Sequence, residues 1–221
     1  MVRFFLFLKK KIVYLHCKLK KYFNVMMVLS DEQKNLAWSQ FYEIFYETTG
    51  LGSYYDMDKL KEELLSSPCA INEEAGTAYK GALIMHINMV CALAQRLAKM
   101  VSGTFSIDEA SLLKICCIMH LSKRHIYEVN DNEWEVKNRG LNFKFKKGLD
   151  GILKGSERSL LEAMNNGVII TPTEFEAIKS LDEVETNNNM YKSIYTTIVR
   201  QANELAYAIE KERYNKIKNQ E

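Results

Sequence analysis

Leu83, Ile87, Val90, Ala94, Leu97 and Val101 recur at steps of three and four residues. That spacing puts all six on one face of a helix, which has to bury the face against other elements. A second segment constrains the chain as strongly. Leu112, Leu113, Ile115, Ile118 and Met119 run up to His120. A helix there is apolar nearly all round and is expected at the centre of the fold. Only Pro68 and Pro172 interrupt 221 residues, so helix breakers are scarce and long helices form at little cost. With 47% apolar residues the chain can fill one sizeable core. The expectation is a mainly α fold. It consists of one domain over residues 27–221, with a small β-hairpin insertion and an arm at residues 1–26.

Local signals mark the remaining elements. Ser30 and Gln33 form a capping box, which predicts a helix from Asp31 to about Thr48, ended by Gly50 and Gly52. Its stripe is Leu36, Phe41, Ile44 and Phe45. A short helix is predicted over Met57–Ser66. Ser106 and Glu109 make a capping box for the helix leading to His120. Ile126–Val129, the turn Asn130-Asp131-Asn132 and then Trp134–Val136 read as a small hairpin, followed by an alternating run from Leu141 to Phe145. Ser156 opens a helix that closes at Asn165-Asn166-Gly167. Thr171-Pro172-Thr173-Glu174 is a helix start with cap, proline and box residue in place. A long last helix is expected from about Met190 to Lys216, with Ile194, Ile198, Ala202, Leu205 and Ile209 facing inward.

The net charge of +2 hides an asymmetry. Residues 1–24 carry Arg3, Lys9, Lys10, Lys11, Lys18, Lys20 and Lys21 and no acid, leaving 23 basic against 28 acidic groups in the rest. A mildly acidic body argues against specific nucleic-acid binding, which needs a basic face. In the arm, Phe4–Leu8 is too short for a membrane span or a signal segment. Three readings stand for it: a basic amphipathic arm for a membrane or other anionic surface, a docking arm for another subunit, or an upstream extension with Met26 or Met27 as the ordinary start. The five cysteines, Cys17, Cys69, Cys91, Cys116 and Cys117, form no C-x-x-C pair and read as reduced thiols of a cytoplasmic protein.

His86 and His120 lie in the two most apolar helices. Taken as residues alone, each reads as a packed histidine. The order of elements, however, resembles the HD-domain phosphohydrolase superfamily, most closely its small bacterial and phage members, over roughly Tyr79 to Tyr207. In order these are a helix with a central histidine, an apolar helix ending in histidine, a small hairpin, a Gly-Ser-Glu-Arg-Ser helix start and a long last helix. The resemblance implies a metal held by a histidine, a His-Asp pair and a later aspartate, activating water on a phosphate ester. On this chain the first ligand falls on His86 in Leu83-Ile84-Met85-His86. The histidine of the pair falls on His120 in Cys117-Ile118-Met119-His120. The aspartate of the pair falls on Leu121, and the late aspartate on Asn203. Further histidines of such proteins fall near Gly155 and Leu181. Glu204 neighbours Asn203 but points about 100° away on the helix.

The pocket so defined, His86, His120, Leu121 and Asn203, keeps two imidazoles and no acid. Two neutral imidazoles do not offset the dehydration of Mg²⁺ or Mn²⁺. No metal and no cofactor are expected, with His86 and His120 as weak candidates for zinc or nickel. Lys123-Arg124-His125 is a candidate anion contact at the pocket mouth, with a solvated helix end as the plainer reading. Lys144, Lys146, Lys147 and Lys154 read as a solvated hairpin edge. The expected function is a non-catalytic HD-like binding or structural module. Its partner is another protein or a second copy, met through Tyr127, Trp134 and the arm. It would belong to a larger assembly, cytoplasmic or in a virion; the lysine- and asparagine-rich composition fits a bacterium or phage. The alternatives are a residual metal-dependent phosphohydrolase acting on a nucleotide or phosphate ester, and a sensor of an anionic ligand.

Overall fold

The structure, a computed structural model, describes residues 29–149, 153–182 and 192–219. The basic arm, Cys17 and the expected start of the last helix at Met190 lie outside the described residues. The chain is mainly helical with one two-stranded antiparallel sheet.

Helix α1 spans Asp31–Tyr42 and starts with the predicted box. Ser30 Oγ accepts from the Gln33 amide at 3.2 Å, and Gln33 Oε1 accepts from the Ser30 amide at 2.8 Å. It runs on as a wider π-turn over Glu43–Thr48, where Phe41 stacks on Phe45 at 4.8 Å. Helix α2 (Met57–Ser66) follows, capped by Asp56. Helix α3 (Ala82–Val101) buries Leu83, Ile87, Val90 and Ala94, as the periodicity requires. Helix α4 (Glu109–Ile118) is central, and its Leu112, Leu113, Ile115, Cys116, Cys117 and Ile118 are all buried. Its cap is Asp108, accepting from the Ala110 amide, in place of the expected Ser106. Asp108 stands immediately before the first helical residue, where an acid also meets the positive end of the helix dipole.

The hairpin is corrected in one respect. A short helix α5 (Lys123–Ile126) leads into β1 (Tyr127–Val129), which pairs with β2 (Phe143–Phe145) in the register Tyr127 to Phe145 and Val129 to Phe143. The expected second strand, Trp134–Val136, lies in helix α6 (Glu133–Arg139). Asn132 caps that helix by accepting from the Glu135 amide, and Gly140 closes it at φ 61°. Acids in its first turn and bases in its last suit the dipole. These helix signals outweigh the β-propensity of Trp134 and Val136.

Helix α7 (Gly155–Asn165) and α8 (Pro172–Lys179) pack on each other and on α4. The last helix, α9 (Ile194–Lys218), is capped by Ser193 and lies chiefly against α3. Its inner stripe is Ile198, Val199, Ala202, Ala206 and Glu210. Leu205 is instead 44% exposed, a correction to the expected stripe. The small residues Ala202 and Ala206 let α9 approach α3 closely, which turns the inward face by about one residue from where the larger Leu205 would put it. The four described cysteines, Cys69, Cys91, Cys116 and Cys117, are free and buried. No helix among the described residues is long and apolar enough to cross a membrane.

Truncation of Leu113, which is 1% exposed at the centre of α4, is expected to cost about 2–5 kcal/mol, read as a lowered urea midpoint with an unchanged slope.

Candidate functional site

Three elements carry polar groups into the core at one place. Helix α3 supplies His86, 0% exposed, in its second turn. The chain turns sharply after α4 and presents His120, also buried. Helix α9 brings Asn203, Tyr207 and Glu210, which sit at i, i+4 and i+7 on one face. His86 Nε2 lies 3.2 Å from His120 Nε2 and 3.1 Å from Asn203 Oδ1, and His120 Nε2 lies 2.9 Å from Asn203 Oδ1. The three residues that the sequence placed in one pocket thus meet, although 34 positions separate the histidines and 117 separate His86 from Asn203. Glu204 is exposed on the outer face of α9.

Leu121, the fourth expected member, is fully buried among the apolar side chains. It brings no polar group to the cluster beyond its backbone, whose carbonyl accepts from Arg124. Leu181 packs partly buried against the core, and Gly155 begins α7.

A carboxylate is present that the sequence reading missed. Glu210 Oε2 lies 2.9 Å from His86 Nδ1, on the side of the ring away from Asn203 and His120. With the carboxylate oxygen accepting, Nδ1–H of His86 is the donor and Nε2 faces the cluster. Glu210 is itself 8% exposed. Gly76, at φ 74°, lets the preceding loop pass over this end of α9, because a side chain there would come within 2.5 Å of the Glu210 carbonyl oxygen. The signal was legible: Glu210 shares the inner stripe of a long amphipathic helix, where a lone acid calls for a partner.

The basic run at α5 also lies differently from either expectation. Lys123 turns inward. Its Nζ donates to Tyr207 OH at 2.6 Å and to the Cys69 carbonyl at 3.1 Å, and lies 3.4 Å from Cys69 Sγ. The Tyr207 ring in turn packs against His86, tilted, with ring centres 4.3 Å apart. Burial alone would favour the neutral amine, but Cys69 and Tyr207 raise the Lys123 pKa, so the ammonium persists. Arg124 donates from Nε to Glu63 at 2.7 Å and pairs with Glu162, tying α2 to α7. Only His125 is open to solvent, at 46% of its side chain, with both glutamates about 4 Å away. Lys123 and Arg124 are therefore neither a free anion-binding mouth nor a solvated helix end. Pairing with carboxylate and hydroxyl acceptors offsets the loss of water at each head group. On the hairpin, Lys144 pairs with Asp131 and Glu128.

Chemically the cluster offers two imidazole nitrogens and an amide oxygen, with an ammonium nearby and a carboxylate behind one ring. Among the described residues no group of three or more His, Cys, Asp or Glu side chains is placed to hold a metal ion. The donor set does not fit a hard hydrolytic cation, which needs carboxylate oxygens aimed at it.

Two outcomes follow. Burial, then the charges of Lys123 and His86, hold the His120 pKa well below the usual histidine value, with the Asn203 hydrogen bond opposing. The unfolded chain, with a histidine near pH 6.5, then takes up the proton that the folded chain refuses. Stability is complete above about pH 6.5 and falls as pH drops below it, by up to about 1.4 kcal/mol per unit. Urea unfolding at pH 7.5 and 5.5 should show this loss, and His120→Gln should flatten it. Glu210→Ala, which leaves Nδ1–H of His86 without its acceptor, should cost about 1–3 kcal/mol in the same assay, and Glu210→Gln less. Compared with protein-family models, curated proteins and solved structures, the chain finds no match.

Proposed function

We propose that the chain is a non-catalytic HD-like binding or structural module. The observation that carries this reading is the donor set itself. His86, His120 and Asn203 converge to 2.9–3.2 Å, and Glu210, the carboxylate hydrogen-bonded to this cluster, turns to the outer nitrogen of His86. The convergence of three residues from distant parts of the chain supports the HD-like resemblance. The missing inward carboxylate argues against hydrolysis, because nothing there balances a divalent cation or lowers the pKa of a water bound to it.

A module of this kind works through its surface. Val129, Trp134 and Phe145, at 60%, 64% and 57% exposure, belong to the hairpin and the helix between its strands. Tyr127 packs against Phe145, tilted, with ring centres 5.4 Å apart. Exposed apolar side chains gathered on one small substructure suit contact with a protein partner or a second copy.

A residual phosphohydrolase is the second reading, and one observation favours it. Donor atoms about 3 Å apart match the spacing of ligands around one zinc ion held at about 2.0–2.1 Å. The two readings part on metal and turnover. Elemental analysis of the purified chain after exposure to Mn²⁺ and Zn²⁺ is expected to find far less than one ion per chain, and a screen of phosphate esters to find no turnover. One bound ion per chain, together with hydrolysis that disappears in His86→Ala, would overturn the module in favour of the enzyme.

A further inference from the structure

We infer that Lys123 serves as the resident cation of the cluster, filling electrostatically the place of a metal ion and keeping divalent metal away from His86 and His120. This rests on the metal-free reading above and gives that reading a physical cause.

Four observations carry it. First, the ammonium is aimed inward and enclosed by Tyr207 OH, the Cys69 carbonyl and Cys69 Sγ, three neighbours for its three protons. A lysine head group left in solvent would lie elsewhere. Second, it belongs to the same chain of contacts as the imidazoles. Glu210 Oε2 meets His86 Nδ1 at 2.9 Å, the His86 and Tyr207 rings are in tilted contact with centres 4.3 Å apart, and Tyr207 OH meets Lys123 Nζ at 2.6 Å. Third, the separations are short: the centre of the Tyr207 ring lies 5.3 Å from Lys123 Nζ, 4.3 Å from the centre of the His86 ring and 6.5 Å from that of His120. Fourth, Lys123 follows His120 by three residues, and its amide donates to the His120 carbonyl at 3.0 Å. The cation is therefore fixed to the same turn that presents the imidazole.

A divalent ion at the Nε2 atoms would add two positive charges to an interior that already holds this ammonium. In a partly buried site two such like charges repel strongly. With no inward carboxylate to compensate, the repulsion decides the outcome. Removing the lysine charge leaves two imidazoles and an amide oxygen already converged, a set suited to a borderline cation such as Zn²⁺.

Calorimetric titration of the full chain with Zn²⁺ alone, at neutral pH, tests this. The unsubstituted chain and Lys123→Arg are expected to show no saturable site. Lys123→Met and Lys123→Gln should each gain one saturable site per chain where the unsubstituted chain has none. That site should be lost when His86→Ala is added. Lys123→Gln keeps a hydrogen-bonding head for Tyr207 and Cys69, so it decides the matter if Lys123→Met does not fold. A zinc-free unsubstituted chain whose Lys123→Gln variant also gains nothing overturns the inference and leaves the metal-free module standing. Stoichiometric zinc on the unsubstituted chain, with phosphate-ester turnover, would instead bring down the metal-free reading itself.

Discussion

The contact between His86 and Glu210 is the interaction on which the interior arrangement depends. It joins the second turn of α3 to the C-terminal half of α9, the two helices that pack most extensively on each other. An imidazole with no solvent exposure has to find partners for both nitrogens, because an unsatisfied polar group there costs more than a hydrogen bond returns. Glu210 meets one nitrogen and thereby fixes which face of the ring looks at Asn203 and His120. Tyr207, one turn before Glu210, then packs against the same ring at an interplanar angle of 35°.

The rest of the centre follows from satisfying charge in a small space. Three ionised head groups drawn inward here find partners: Glu210 in His86, Lys123 in Tyr207 and Cys69, Arg124 in Glu63 and Glu162. Such pairs add little net stability over an apolar core, but they allow few alternative packings, since breaking one strands a charge. The polar interior thereby sets the relative register of α2, α5, α7 and α9. It also leaves the cluster without the surplus negative charge that a hydrolytic ion requires. The same residues can therefore look like a metal pocket in outline and behave as internal structure.

Much of this was readable in the residues. The α3 stripe, the all-round apolar character of α4, the capping boxes at Ser30 and Thr171 and the meeting of His86, His120 and Asn203 all appear as the sequence leads one to expect. Two misreadings share a cause. Trp134 and Val136 favour a strand by residue type, yet the cap at Asn132 and the glycine at 140 favour a helix, and the longer-range pairing of β1 with β2 settled the contest. Leu205 belongs to an apolar periodicity, yet the close approach allowed by Ala202 and Ala206 turned the helix away from it.

Periodicity, capping and composition are local properties, and by themselves they determined a mainly helical chain with a central apolar helix and a histidine in each of its two most apolar segments. Tertiary packing alone decided where each charge goes. Which nitrogen of His86 meets Glu210, and whether Lys123 turns to water or to Tyr207, depend on groups distant in the chain. No local rule weighs the cost of desolvating a charge against partners that only the folded chain brings within reach.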